Sequence, residues 1–149
     1  MRTLSAAALI GAGLGLALAA CGSKPLDPAE FRARASAICV AERLRSKQVQ
    51  RPLAPADVTK FVTAALRIVE PAVDKLGALR APDELRPRFD SAVALLRRRL
   101  GLLQDAQKKL RDRAEPLATF AALAPKLQPL RLQESRQWVA IGLAQCASG

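Results

Sequence analysis

At 149 residues the chain is long enough for one domain. Its 24 Lys and Arg outnumber 13 Asp and Glu, giving a formal charge of +11, and it is 50% hydrophobic but only 3% aromatic. With neither His nor Tyr, it lacks the commonest general base and the commonest nitrogen ligand, which excludes Ser–His chemistry and most zinc sites.

The N-terminus carries the clearest message. Met1-Arg2 supplies one positive charge, and Ala6 to Ala20 follow with no charged residue. That run is shorter than the roughly 20 residues a membrane helix needs, but it suits the apolar core of a signal peptide. It ends in Leu18-Ala19-Ala20-Cys21, followed at once by Gly22-Ser23-Lys24-Pro25. Small residues before the cleavage point fit a signal peptidase. A Cys directly after them resembles the bacterial lipobox, whose thiol receives a diacylglyceryl group before cleavage. This reading predicts a lipoprotein signal peptide over 1–20, lipidation of Cys21, a tether over 21–26, a helical domain over 27–146 and a tail over 147–149. The competing account is an ordinary secretory signal with a Cys nearby. Two acyl chains hold a protein stably where one holds it reversibly. The expected location is therefore the extracytoplasmic face of the cell membrane, anchored and not crossing.

Assigning Cys21 to the lipid leaves Cys39 and Cys146. Outside the cytoplasm two leftover thiols tend to pair; the alternative is two buried, inert thiols. They lie too far apart for a Cys-x-x-Cys redox motif, and two thiolates without His do not complete a zinc site. The expected bridge ties the first helix to the C-terminus.

The remainder reads as helix. Asp27-Pro28-Ala29-Glu30 is a start signal, with Asp as N-cap, Pro at N1 and Glu closing a capping box. The first helix carries Phe31, Ala35, Ile38, Cys39, Ala41 and Leu44, and should fade near Gln50. The two prolines of Arg51-Pro52-Leu53-Ala54-Pro55 then break the chain. A second helix from near Asp57 places Val58, Val62, Ala65, Val69, Ala72, Leu76 and Leu79 at alternating steps of four and three. Pro71 lies inside this seam and should kink the helix without ending it. Ala81-Pro82-Asp83-Glu84 opens a third helix with Phe89, Val93, Leu96, Leu100, Leu103, Gln107 and Leu110 in the same rhythm, Leu95 and Leu102 widening the stripe. A fourth segment, from about Glu115 to Cys146, holds Leu117, Phe120, Leu123, Leu127, Leu130, Trp138 and Ile141. Pro125 and Pro129 should split or bend it. No alternating strand pattern and no internal repeat is present. The predicted fold is all-α, an up-and-down antiparallel four-helix bundle with its fourth helix kinked or split, stapled by one disulfide. That topology brings Cys146 to Cys39 and Trp138 near Leu44.

Ile38-Cys39, Ala81-Pro82-Asp83-Glu84-Leu85, and Gly142-Leu143 shortly before Cys146 together resemble a group of small helical lipoproteins and secreted proteins of high-GC Gram-positive bacteria. The resemblance covers the whole mature chain. It implies a four-helix domain with a Cys39–Cys146 bridge between the first helix and the C-terminus, and it carries location and fold with no activity.

A search for chemistry returns little. No Ser-x-x-Lys motif offers a base for a nucleophile, and the Glu-x-x-His pairs of di-metal bundles are missing. Glu70 and Asp74 share one face of the second helix and could hold a cation or act as acid and base; beside Arg67 and Lys75 they read better as a solvated acidic face. Gly11, Gly13 and Gly15 fall inside the leader. No catalytic residue, metal ligand or cofactor is assigned.

The basic excess gathers on the first helix (Arg32, Arg34, Arg43, Arg45, Lys47) and on the third (Arg86, Arg88, Arg97 to Arg99, Lys108, Lys109, Arg111, Arg113). An exported, anchored protein rarely meets nucleic acid, and stacking aromatics are scarce. Anionic lipid, an acidic wall polymer or an envelope protein is the better partner, set against plain Arg usage on solvated faces. A tether of six steps from Cys21 to Asp27 reaches about 20 Å when extended, so Arg32 and Arg34 are the candidate contacts with an anionic surface. The expected function is a non-enzymatic, surface-anchored binding module. The alternatives are a small-ligand or enzymatic bundle with a core cavity, and a basic module for anionic lipid or wall polymer.

Overall fold

The computed structural model describes residues 24–147; the expected leader over 1–20, Cys21 and the last two residues lie outside them. The described chain forms α1 (Pro28–Ser46), α2 (Pro55–Gly77), α3 (Arg86–Arg111), α4 (Pro116–Ala121), α5 (Ala124–Ala140) and α6 (Ala144–Ala147). It is all-helical among the described residues, and a Cys39–Cys146 disulfide joins α1 to α6. No described helix is long and apolar enough to cross a membrane.

Local chemistry sets each start. The Asp27 carboxylate accepts from the backbone N–H groups of Ala29 and Glu30 at 2.9 and 3.0 Å, and Pro28 follows in the first turn. Only half of the expected capping box forms, because Glu30 pairs with Arg34 instead. Asp27→Ala should lower stability by about 1 kcal/mol, read in urea denaturation. At α2, Asp57 accepts from the Ala54 N–H at 3.3 Å, and the helix begins at Pro55, two residues before the expected start. Glu115 caps α4 through Leu117 and Ala118.

The ends are as informative. α1 stops at Ser46, short of Gln50, because beyond Cys39 none of its side chains is buried. Pro71 is accommodated inside an unbroken α2. The fourth segment is cut at Ala122 and Leu123 rather than at its prolines: Pro125 occupies the first turn of α5, where a missing N–H is tolerated, and Pro129 stays within the helix. Leu123 turns inward there and is buried. α5 closes with Gly142 at φ +78°, the Leu143 N–H donating to the Trp138 carbonyl at 2.8 Å and the Gly142 N–H to Val139 at 3.0 Å. This is a Schellman close in which Leu143 and Trp138 also make the accompanying apolar contact. A Cβ on Gly142 would lie 3.1 Å from the Arg32 Nε. Gly142→Ala should therefore cost about 1–2 kcal/mol, seen as a lower urea midpoint with unchanged m-value.

Two cores result. The larger gathers Phe31, Ala35 and Cys39 of α1, Leu76 of α2, Phe89, Ala92 and Val93 of α3, and Trp138, Ile141 and Leu143 around the α5 close. The smaller is Val58, Val62 and Leu66 of α2, flanked by the half-buried Phe61, Leu100, Leu103, Leu110 and Phe120. These partners show that α2 meets α3 head to tail, its start against the end of α3 and its end against the start. α3 packs on both α2 and α5, and α1 packs on α2 and α6. The backbones of α1 and α5 do not approach closely; the two helices meet only through side chains of the larger core. At about 1.5 Å per residue α1 spans roughly 28 Å and α3 roughly 39 Å, so the short first helix leaves one end of the α2–α3 pair without a fourth wall.

The described chain begins at the other end. The Leu26 N–H donates to the Arg80 carbonyl at 3.1 Å, and its side chain packs on the larger core beside the buried Ala81. Ala81-Pro82-Asp83-Glu84-Leu85 thus serves as a base plate: Pro82 accepts from Leu85 and Arg86 at 3.0 and 2.9 Å. Leu44 is exposed and stands outside both cores; Trp138 instead packs against Phe89. The expected Trp138–Leu44 proximity fails because Trp138 joins Phe31, Ala35 and Cys39 in the larger core, whereas Leu44 lies beyond the last buried residue of α1.

Candidate groove beside the fourth and fifth helices

A groove of about 730 Å³ opens beyond the end of α1, among α2, α3, α4, α5 and α6. Its apolar wall comes from Phe61 of α2, Leu103 of α3, Phe120 of α4 and Leu127 of α5. Phe61 and Phe120 meet edge to face, ring centres 5.5 Å apart. All four remain only partly buried, so this apolar surface is left without a covering helix. Leu132, exposed on α5, extends it.

Charge is placed at the groove with economy. Glu134 is the one buried charged residue among those described, at 4% exposure. Its Oε1 accepts from the Trp138 indole N–H at 2.9 Å and its Oε2 from Arg99 Nη1 at 2.5 Å. Arg99 is held from α3, and its Nε–H is buried with no acceptor. Arg51, from the α1–α2 connection, and Arg131, from α5, complete a basic lining around this pair. On the far side of Arg99 and Glu134 a small notch of about 50 Å³ continues to Arg43 and the disulfide. A water-excluded carboxylate with two donors is a fixed anchor for the arginine, since breaking such a pair leaves an uncompensated charge.

The residues singled out from sequence fall in different places. Cys39 and Cys146 are bonded, and Cys146 borders both the groove and the notch. Cys21 lies outside the described residues. Arg32 is drawn inward, its Nε donating to the Ile141 carbonyl at 3.0 Å, while Arg34 is exposed and paired with Glu30. Arg32 therefore serves the fold at the α5 close. Glu70 accepts from Gln104 Nε2 at 2.7 Å, and Asp74 is exposed. Among the described residues no three His, Cys, Asp or Glu side chains gather to hold a metal.

Arg51, Arg99, Arg131 and Glu134 were not legible as a set. A signal existed for two of them. Arg99 stands three residues after Leu96 and four before Leu103, on the α3 seam itself, and Glu134 stands four before Trp138 on one face of α5. Arg51 and Arg131 carry no periodic mark; only the tertiary fold brings them to one groove.

No family model, no curated protein and no solved structure matches this chain.

Proposed function

We propose that the chain is a lipid-anchored extracytoplasmic module, an up-and-down bundle of four long helices, that works by binding through the groove beside α4 and α5 and catalyses no reaction. The observation that carries the reading is the groove itself. An apolar surface beside a basic lining, left open where α1 ends and the α2–α3 pair goes on, is the common form of a binding site. The register of Leu18-Ala19-Ala20-Cys21 supports the anchor, and the Leu26–Arg80 bond supports the orientation, with the groove at the end away from the tether.

Two measurements test it. Cys21→Ala should move the protein from the membrane to the soluble fraction, and persistence on membranes after a high-salt wash would sink the anchor. A photo-crosslinking side chain placed at Leu132 in intact cells should yield a discrete adduct that the same group at the exposed Arg88, away from the groove, does not. Equal labelling at both positions would remove the groove from consideration.

A further inference from the structure

Resting on that reading, we infer that the groove takes a single-chain amphiphile with an anionic head, an acyl chain ending in a carboxylate or a phosphate. The wall supplies the first half of the argument. Phe61, Leu103, Phe120 and Leu127 give the groove an apolar wall. A volume near 730 Å³ lies within the roughly 300–1,000 Å³ of small-molecule sites, which suits a flexible chain and is small for a folded partner.

Charge complementarity supplies the second half. Arg51, Arg99 and Arg131 line the groove against Glu134 alone, so the lining is net positive and favours an anion. Glu134 is occupied by Trp138 and Arg99, yet the Arg99 Nε–H has no acceptor. Arg51 makes no hydrogen bond or ion pair among the described residues. A guanidinium is a planar fork that meets a carboxylate or phosphate with two parallel bonds. An uncharged chain would use the wall and leave this lining without purpose; a bare anion would use the lining and leave the wall exposed. Only a molecule with both parts satisfies both.

The chain carries its own reporter. Trp138 is the single Trp, and its indole N–H is bonded to the carboxylate that holds Arg99. The mature chain with Cys21→Ser, free of acyl groups and detergent, is titrated below the micelle threshold with tetradecanoate, with a monoacyl lysophosphatidic acid, with the uncharged monoacylglycerol of equal length, and with inorganic phosphate. Expected are saturable changes in Trp emission for the two anionic amphiphiles, at least about tenfold weaker affinity for the uncharged one, and none for phosphate. Arg51→Ala should weaken the anionic ligands by about tenfold and leave the uncharged one unchanged; Leu127→Asp should weaken all of them. Both variants must keep the Cys39–Cys146 bond by non-reducing mass.

Vesicles carrying labelled lysophosphatidic acid separate the sources. Transfer of label onto the protein assigns a membrane source, and monomer binding without transfer assigns a free one. Equal affinity for charged and uncharged chains, no response to either anionic amphiphile, or a concentration-dependent dimer that fills the groove instead would each overturn the proposal. Site-specific crosslinking at Leu132 with no amphiphile binding would leave the groove reading standing and this ligand class wrong.

Discussion

Removing the disulfide by Cys39→Ser with Cys146→Ser should lower the unfolding free energy by about 4–5 kcal/mol, the loss that chain-entropy reasoning assigns to a loop of this size. The bridge closes a separation of 107 residues, so the oxidised unfolded chain is denied a large set of conformations that the variant regains. The topology adds a second reason. The backbone of α1 approaches α2 and α6 but not α5, so α1 is tied to the C-terminal segment by the bridge, by α6, by the Arg32–Ile141 bond and by the side chains it shares with Trp138, Ile141 and Leu143 in the larger core. Without the bridge, hydrogen exchange should rise first in α1 and α6, ahead of α3. Urea titrations of oxidised parent, reduced parent and double variant give the comparison. Reduced parent and variant should agree, both with midpoints well below the oxidised protein, and thermal midpoints should fall on the order of 10–30 °C. A double variant within about 1 kcal/mol of the oxidised parent would show that packing alone holds α1.

Trp138→Ala carries the next largest effect, a loss of about 3–5 kcal/mol. Trp138 is 1% exposed and packs edge to face on Phe89, ring centres 5.9 Å apart, while Phe89 meets Phe31 in the same way at 5.0 Å. Three rings from α1, α3 and α5 thus interlock at the tether end. Truncation opens a cavity that rigid helices cannot close, and it takes from Glu134 one of its two donors. Trp138→Phe separates the two contributions. It keeps most of the ring volume and loses only the indole N–H, for which about 1–2 kcal/mol is expected. Equal losses in both variants would mean that the hydrogen bond, rather than ring packing, dominates.

Much of the fold was legible because it is written locally. Asp27-Pro28, Pro55 with Asp57, and Glu115-Pro116 mark helix starts by side-chain chemistry that needs no tertiary partner. The paired cysteines follow from counting and are bonded. Gly142-Leu143 is readable as punctuation, and the structure shows the left-handed residue and the buried one after it. The core was read less completely. The seam on α2 named Val58, Val62, Ala72 and Leu76 but not Leu66 or Val73, which are also buried. A single line of fours and threes describes a helix with one neighbour, whereas α2 lies between α1 and α3 and so presents a wider face.

What the sequence determined by itself is the helical class and the supply of cysteines, caps and breaks. All of these depend on residues close together in the chain. Only the tertiary structure decided that α1 and α5 stand apart, that Arg32 turns inward to Ile141, and that Arg99 rather than Arg97 or Arg98 meets Glu134. The reason is geometric. Three consecutive arginines on a helix point about 100° apart, and which one faces a partner is set by how far α5 leans over α3. The groove has the same origin, since it exists where the shorter α1 ends and the α2–α3 pair goes on, a difference in length whose consequence appears only when the helices are laid side by side.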